Sequence, residues 1–276
     1  MRSPLVERLL RNALEEDIGS GDITTAATVP PGTVARAELV AKEDFVLAGI
    51  DVARQVFALV DPQIAFEGLI ADGQAVRRGE VIAWLKGDAA GLLQGERVAL
   101  NLLQRLSGVA TLTARFVKEV AGTDATIVDT RKTTPGLRTL EKYAVRVGGG
   151  GNHRMALYDG VLIKENHVVA AGGITNAVSR ARVRAPHTVK IEVEVRDLDE
   201  VKEALAAGAD ILLLDNMDLQ QLTAAVDLVG GRAVTEASGG VNLETVRAIA
   251  ETGVNLISVG ALTHSYRSVD ISMLFN

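Results

Sequence analysis

From residue 125 onward, short apolar runs alternate with longer stretches in which apolar residues recur at helical spacing. Thr126–Val128, Gly160–Ile163, Val189–Val195, Ile211–Leu214, Ala233–Glu236 and Leu256–Val259 read as strands. Ile174–Arg184, Leu198–Ala207, Leu219–Leu228 and Leu243–Thr252 read as helices. Such alternation means parallel strands joined by right-handed crossovers. Six such strands in about 140 residues fit an α/β barrel, complete or incomplete, better than an open sheet.

The chain before residue 125 is patterned differently. Ser3 is placed to cap a first helix, Pro4 suits its first position, and Leu5, Leu9, Ala13 and Leu14 recur at helical spacing. Gly19, Gly21 and Asp22 end it. From Ala35 to Leu93 short strands surround one helix near Ile50–Leu59, with turn signals at Asp61-Pro62, Asp72-Gly73 and Gly87-Asp88. The segment 68–87 resembles the hammerhead shape of lipoyl-type domains but has no lysine at a hairpin tip to modify, so it reads as scaffold. A helical stretch over 95–122 leads from this region into the alternating one.

Composition narrows the chemistry. The chain is acidic, with a net charge of −6, yet residues 129–154 hold Arg131, Lys132, Arg138, Lys142, Arg146 and Arg154 against Asp129 and Glu141. Six basic against two acidic residues give this window a local charge of +4, and it also carries His153 and the glycines 148–151. A cationic, glycine-rich island in an acidic chain points to a pocket for a small, highly charged anion. Nucleic acid needs a broad basic face and usually aromatic platforms, and aromatics are 3% here. With no cysteine, disulfides, thiolate catalysis and cysteine-based zinc sites are excluded. The four histidines have no metal-ligand spacing on a helix. No apolar h-region opens the chain and no uncharged run approaches a membrane span, so a cytoplasmic enzyme is expected.

The strand ends carry the remaining signal. In 189–195, Val189, Ile191, Val193 and Val195 alternate with Lys190, Glu192 and Glu194. This is either an edge strand with one wet face or a polar barrel interior serving a ligand. Unpaired burial of three such groups would cost several kcal/mol each. Glu194 lies near the C-terminal end of its strand, where barrel active sites are built. Other strands lead into Lys164, Glu165, Asn166 and His167, into Asp215 and Asn216, and into Glu236 and Ser238. Any one of these reads as a helix cap; the repetition over successive strands reads as a ring. Ser238-Gly239-Gly240 and Gly260-Ala261, after the last two strands, offer backbone N–H groups to a phosphate.

Taken with EDIGSGDITT (16–25), GERVALNLLQRLSG (95–108), DTRKTTPG (129–136), NHR (152–154), KENH (164–167), LLLDNM (212–217), EASGGV (236–241) and ISVGALTH (257–264), the chain resembles the quinolinate phosphoribosyltransferases over nearly its whole length. The resemblance implies an N-terminal open-faced α/β sandwich over 1–108, hammerhead-like, and an irregular, incomplete α/β barrel over 109–265. Residues 266–276 would return to the first domain. It implies phosphoribosyl transfer from phosphoribosyl pyrophosphate (PRPP) to quinolinate with decarboxylation, giving nicotinate mononucleotide, pyrophosphate and CO2 for NAD biosynthesis. It further implies a homodimer, assembling further in some members, with active sites completed across subunits, and neither nucleic acid nor membrane as partner.

Carried onto this sequence, the family pattern places Arg131, His153 and Arg154 around quinolinate, with Lys132 and Lys164 bridging toward PRPP and Arg97 reaching in from the neighbouring subunit. Glu194 and Asp215 would stabilise the oxocarbenium-like ribose and position Mg2+, directly or indirectly. Ser238, Gly239, Gly240 and Gly260 would hold the 5′-phosphate, with His264 adding a contact. A nicotinate phosphoribosyltransferase or a molybdenum-uptake-linked paralogue on the same scaffold is the alternative within enzymes. A non-catalytic anion-binding protein is the alternative outside them.

Overall fold

A computed structural model describes residues 3–275. The outermost positions of the expected domain bounds, 1, 2 and 276, lie outside the described residues. In chain order the elements are α1 (Pro4–Ile18), α2 (Ile23–Thr28), β1 (Val34–Ala41), β2 (Phe45–Val46), α3 (Ile50–Val60), β3 (Ala65–Gly68), β4 (Ala75–Val76), β5 (Val81–Asp88) and α4 (Ala89–Glu119). There follow β6 (Thr126–Val128), α5 (Arg138–Val147), β7 (Val161–Ile163), α6 (Glu165–Ala171), α7 (Ile174–Arg184), β8 (Ile191–Val195), α8 (Leu198–Ala206) and β9 (Ile211–Asp215). The last are α9 (Leu219–Val229), β10 (Val234–Ser238), α10 (Val246–Glu251), β11 (Leu256–Ser258), α11 (Ala261–His264) and β12 (Ile271–Phe275). Two compact units result: 1–114 with 134–149 and 266–276, and 115–133 with 150–265.

The first unit is built on an antiparallel sheet in the order β12-β1-β5-β3. In β1, Ala37, Leu39 and Ala41 are buried. Across the strand pair, Glu38 stands opposite the half-exposed Trp84. This is the period-two pattern of a sheet with one covered face. Ser3 caps α1 through an N–H bond from Val6 at 3.2 Å, as the sequence predicts. The buried stripe of α1 is Val6, Leu10 and Leu14, one position on from the expected Leu5–Leu9 stripe, and Leu5 is exposed. The Gly87-Asp88 pair is likewise no turn. It ends β5, where a side chain at 87 would meet Ile64 at 2.7 Å, and Asp88 Oδ2 then accepts the Gly91 N–H at 3.1 Å. Helix α4 therefore starts at Ala89, earlier than its glycines suggest.

The second unit holds a parallel sheet in the order β6-β11-β10-β9-β8-β7. Among the described residues β6 and β7 do not pair, so the barrel is incomplete. β9 is apolar on both faces because it lies within the sheet under helices. β8 lies between β9 and β7, which rules out the edge-strand reading of its alternation. Its valines and Ile191 are fully buried, and the intervening Glu192 is 4% exposed. Ser238 of β10 stands in register with Asp215 of β9, which brings two strand tips together.

Candidate active site

The expected residues converge first through Asp129, at the end of β6. This fully buried carboxylate accepts the Asn152 side-chain amide at 2.6 Å and the His153 N–H at 2.9 Å. It thereby docks the loop carrying His153 and Arg154 against the strand that leads to Arg131 and Lys132. Thr263 Oγ1 donates to the Lys132 carbonyl at 2.8 Å and fixes the same segment from α11.

A cavity of about 330 Å3 opens at the C-terminal ends of the strands. Arg131, Lys132, His153, Arg154, Lys164, Glu194, Asp215 and Ser238 all line it, together with Thr130, Glu236 and Ser258. The Lys164 ammonium is ion-paired to Glu194 Oε2. His167 Nδ1 accepts the Lys164 N–H at 3.0 Å and caps α6. Asp215 Oδ2 accepts from the Asn216 amide at 2.8 Å. Asn216 has a φ of 54° and packs so tightly on Gly239 that a methyl group there would lie 2.1 Å from Asn216 Oδ1. Gly239 itself has a φ of 101°, so only glycine suits it. Gly260 lies against the Lys132 and His264 side chains, and Gly240 is exposed beside Gly239.

The +4 window does not act as one patch. Arg138, Lys142 and Arg146 belong to α5 in the first unit, where the strongly amphipathic helix turns Lys142 inward and Arg146 outward. There Glu141 is buried, accepting Arg105 at 2.7 Å and the Thr134 N–H at 3.0 Å. Arg97 is an exposed residue of α4 in the first unit and is not among the residues lining the cavity.

The floor of the cavity holds a cluster that the residue-by-residue reading did not assign. His153 Nδ1 accepts the Arg154 N–H at 2.7 Å, which leaves the ring proton on Nε2. Nε2 stands 3.0 Å from Glu192 Oε2 and 3.7 Å from Glu236 Oε1. These three side chains bring one ring nitrogen and two carboxylate oxygens within 4.8 Å of one another, and a hydrogen bond from Nε2 to Glu192 is consistent with that closeness. Burial, and next the Glu192 charge, push the Glu236 carboxyl up to about 7; His153, the Ser258 hydroxyl and Lys164 offset part of that rise. Burial and then the neighbouring Arg131 guanidinium hold Arg154 below its ordinary value. Besides Glu236, the lining carries Arg131, Lys132, Arg154 and Lys164 together with the carboxylates of Glu194 and Asp215. These two are oxygen donors of the kind Mg2+ takes, partly exposed to the cavity, and they fit a cation that is shared with substrate phosphates.

Comparison with known proteins agrees with this geometry. The family model described as quinolinate phosphoribosyl transferase, C-terminal domain, matches residues 109–274, and the corresponding N-terminal domain matches 22–107. The chain belongs to the quinolinate phosphoribosyltransferase family. It is 48% identical over 268 residues to a probable nicotinate-nucleotide pyrophosphorylase (carboxylating) of Bacillus subtilis (strain 168), covering 97% of this chain and 92% of that protein. It is 44% identical to a quinolinate phosphoribosyltransferase (decarboxylating) 1b of Nicotiana tabacum, over 96% of this chain and 81% of that one. The solved nicotinate-nucleotide pyrophosphorylase of Francisella tularensis superposes with a TM-score of 0.95 at 41% identity, covering 100% of this chain and 98% of that chain. For a quinolinate phosphoribosyltransferase, a cavity walled by cations and floored by acids is the expected chemistry. Glu192 was legible only as an inward position on an alternating strand, Glu236 only as one of the polar residues at the strand ends, and Asp129 only as a charged residue within the basic window.

Proposed function

We propose that this chain transfers the phosphoribosyl group of PRPP to the ring nitrogen of quinolinate and removes the 2-carboxylate. The products are nicotinate mononucleotide, pyrophosphate and CO2. The observation that carries this reading is the gathering of four cations with Glu194 and Asp215 around one cavity at the strand tips. Quinolinate is a dianion and PRPP carries several negative charges, so both together demand such a wall. The guanidinium groups of Arg131 and Arg154 suit planar carboxylates because each can donate a paired set of hydrogen bonds. Lys132 and Lys164 would neutralise the departing pyrophosphate.

Glu194 and Asp215 face the developing positive charge on ribose and would hold Mg2+, which supplies charge neutralisation to pyrophosphate when bound. Ser238 and the glycines 239, 240 and 260 offer a cradle for the 5′-phosphate. Once the ring nitrogen is ribosylated it is cationic, and that charge stabilises the electron pair left on C2 as CO2 departs. No helix among the described residues is long and apolar enough to cross a membrane; we read the enzyme as cytoplasmic. We read it also as a homodimer in which Arg97 completes the partner's site.

Purified protein supplied with quinolinate, PRPP and Mg2+ is expected to release pyrophosphate and CO2 in equal amounts. Pyrophosphate from nicotinate but not from quinolinate would assign the alternative monocarboxylate reaction instead. Mixing Arg97→Ala with Glu194→Ala subunits should restore activity by regenerating one intact site per dimer. Failure to recover any would refute shared sites.

A further inference from the structure

The interior of the second unit holds a second cavity of about 420 Å3, lined by strand beginnings that include Val161, Ile211 and Leu256, with Lys190 just ahead of β8. His153, Arg154 and Glu236 line both cavities, so these side chains form the wall between them. Glu236 is the acid in that wall. It is 1% exposed, and its Oε1 is buried without a hydrogen-bond partner. It is faced by Glu192 from β8, by His153 and Arg154 from the loop between α5 and β7, by Lys164 from the end of β7, and by Ser258 from β11.

Decarboxylation at C2 has a proton requirement. The C2–carboxyl bond breaks, CO2 leaves, and the electron pair remains on carbon; nicotinate mononucleotide carries hydrogen there. A donor must therefore stand at the cavity wall. Arg131 and Arg154 hold their protons too tightly. The ring proton of His153 is committed to Glu192, Lys164 is ion-paired to Glu194, and Lys132 is the ammonium read above as neutralising the departing pyrophosphate.

We propose that Glu236 donates the proton that replaces the departing carboxylate on C2, and is reprotonated from solvent through the second cavity. The proposal rests on the reaction given above. The C2 pair takes the hydrogen of the Glu236 O–H, a C2–H bond forms, and the carboxylate left behind recovers one proton from water. One solvent proton is consumed per turnover. Burial, and after it the Glu192 charge, disfavour the carboxylate form in this wall, which favours the acid form before each turnover.

The test is a single-turnover comparison of wild type with Glu236→Gln, which keeps size and polarity but has no acidic proton. Pyrophosphate and nicotinate mononucleotide are followed separately. Wild type is expected to form them together. Glu236→Gln is expected to release pyrophosphate at a near-normal rate while nicotinate mononucleotide lags at least about tenfold and quinolinate mononucleotide accumulates. Equal rates for both products in the variant overturn the proposal, as would a stoichiometric divalent metal bound by His153, Glu192 and Glu236 in the purified protein. Should Glu236→Gln fail to fold, Glu236→Asp serves. Its retracted acid should slow mononucleotide formation and raise its solvent deuterium isotope effect, and an unchanged rate and isotope effect overturn the proposal. If wild type releases no pyrophosphate from quinolinate, the reaction itself is wrong, and that control separates the two failures.

Discussion

Asp129→Ala offers the sharpest check on how this site is assembled. The carboxylate is fully buried and accepts hydrogen bonds from the Asn152 amide at 2.6 Å and the His153 N–H at 2.9 Å. Hydrogen bonds to a charged group contribute about 1.5–3 kcal/mol each, and a stranded donor adds its own desolvation cost. Asn152 is exposed and can turn to water, whereas His153 is partly buried. The expected loss is therefore about 3–4 kcal/mol, the lower part of the summed range. Asp129→Asn retains one acceptor and should lose about half as much. Glu7→Ala, which removes an exposed ion pair to Arg11, should lose under about 0.5 kcal/mol and serves as the control. Because Asp129 positions His153 and Arg154, quinolinate affinity should also fall at least about tenfold in Asp129→Ala, or about 1.4 kcal/mol. Urea denaturation and calorimetric titration with quinolinate measure both. A loss below about 1 kcal/mol with unchanged affinity would refute the anchoring role.

Other expectations follow from single observations. Gly239→Ala places a methyl group against Asn216 at a positive φ, so it should destabilise by about 2–4 kcal/mol and lower kcat by displacing Asp215; a normal melting temperature and kcat would contradict the interlock. Arg131→Ala should weaken quinolinate binding much more than PRPP binding, and equal losses in paired titrations would remove its carboxylate role. Glu236 titrates near 7 in the folded protein against 4.5 for an ordinary glutamate, so the folded state holds an extra proton between those values. Its contribution is therefore fully present below about 4.5 and is lost as pH rises toward 7, to a total of about 3 kcal/mol. The stability of wild type relative to Glu236→Gln should fall across that window in denaturation at stepped pH, and a flat difference would place the titration elsewhere.

Local pattern was enough where a residue's surroundings are its own element. The parallel strands and most helices of the second unit appear within a few residues of the positions read from periodicity, because apolar runs under helices have no other stable arrangement. The register of α1 was misread by one position, because Leu5 and Val6 are equally apolar and only the packing of the helix decides which is buried. Gly87 was taken for a turn when its smallness serves the close approach of Ile64.

The amino-acid order alone determined the parallel α/β architecture, the family, and the set of cations and acids at the strand ends, since each follows from residue type and spacing along one element. Tertiary structure decided which of the basic residues in 129–154 face the cavity and which belong to α5. It also decided that Glu192 and Glu236 meet His153 beneath the cavity. Those outcomes depend on the register between strands far apart in the chain, and on a buried charge finding its partners through space, and neither is written in the spacing of neighbouring residues.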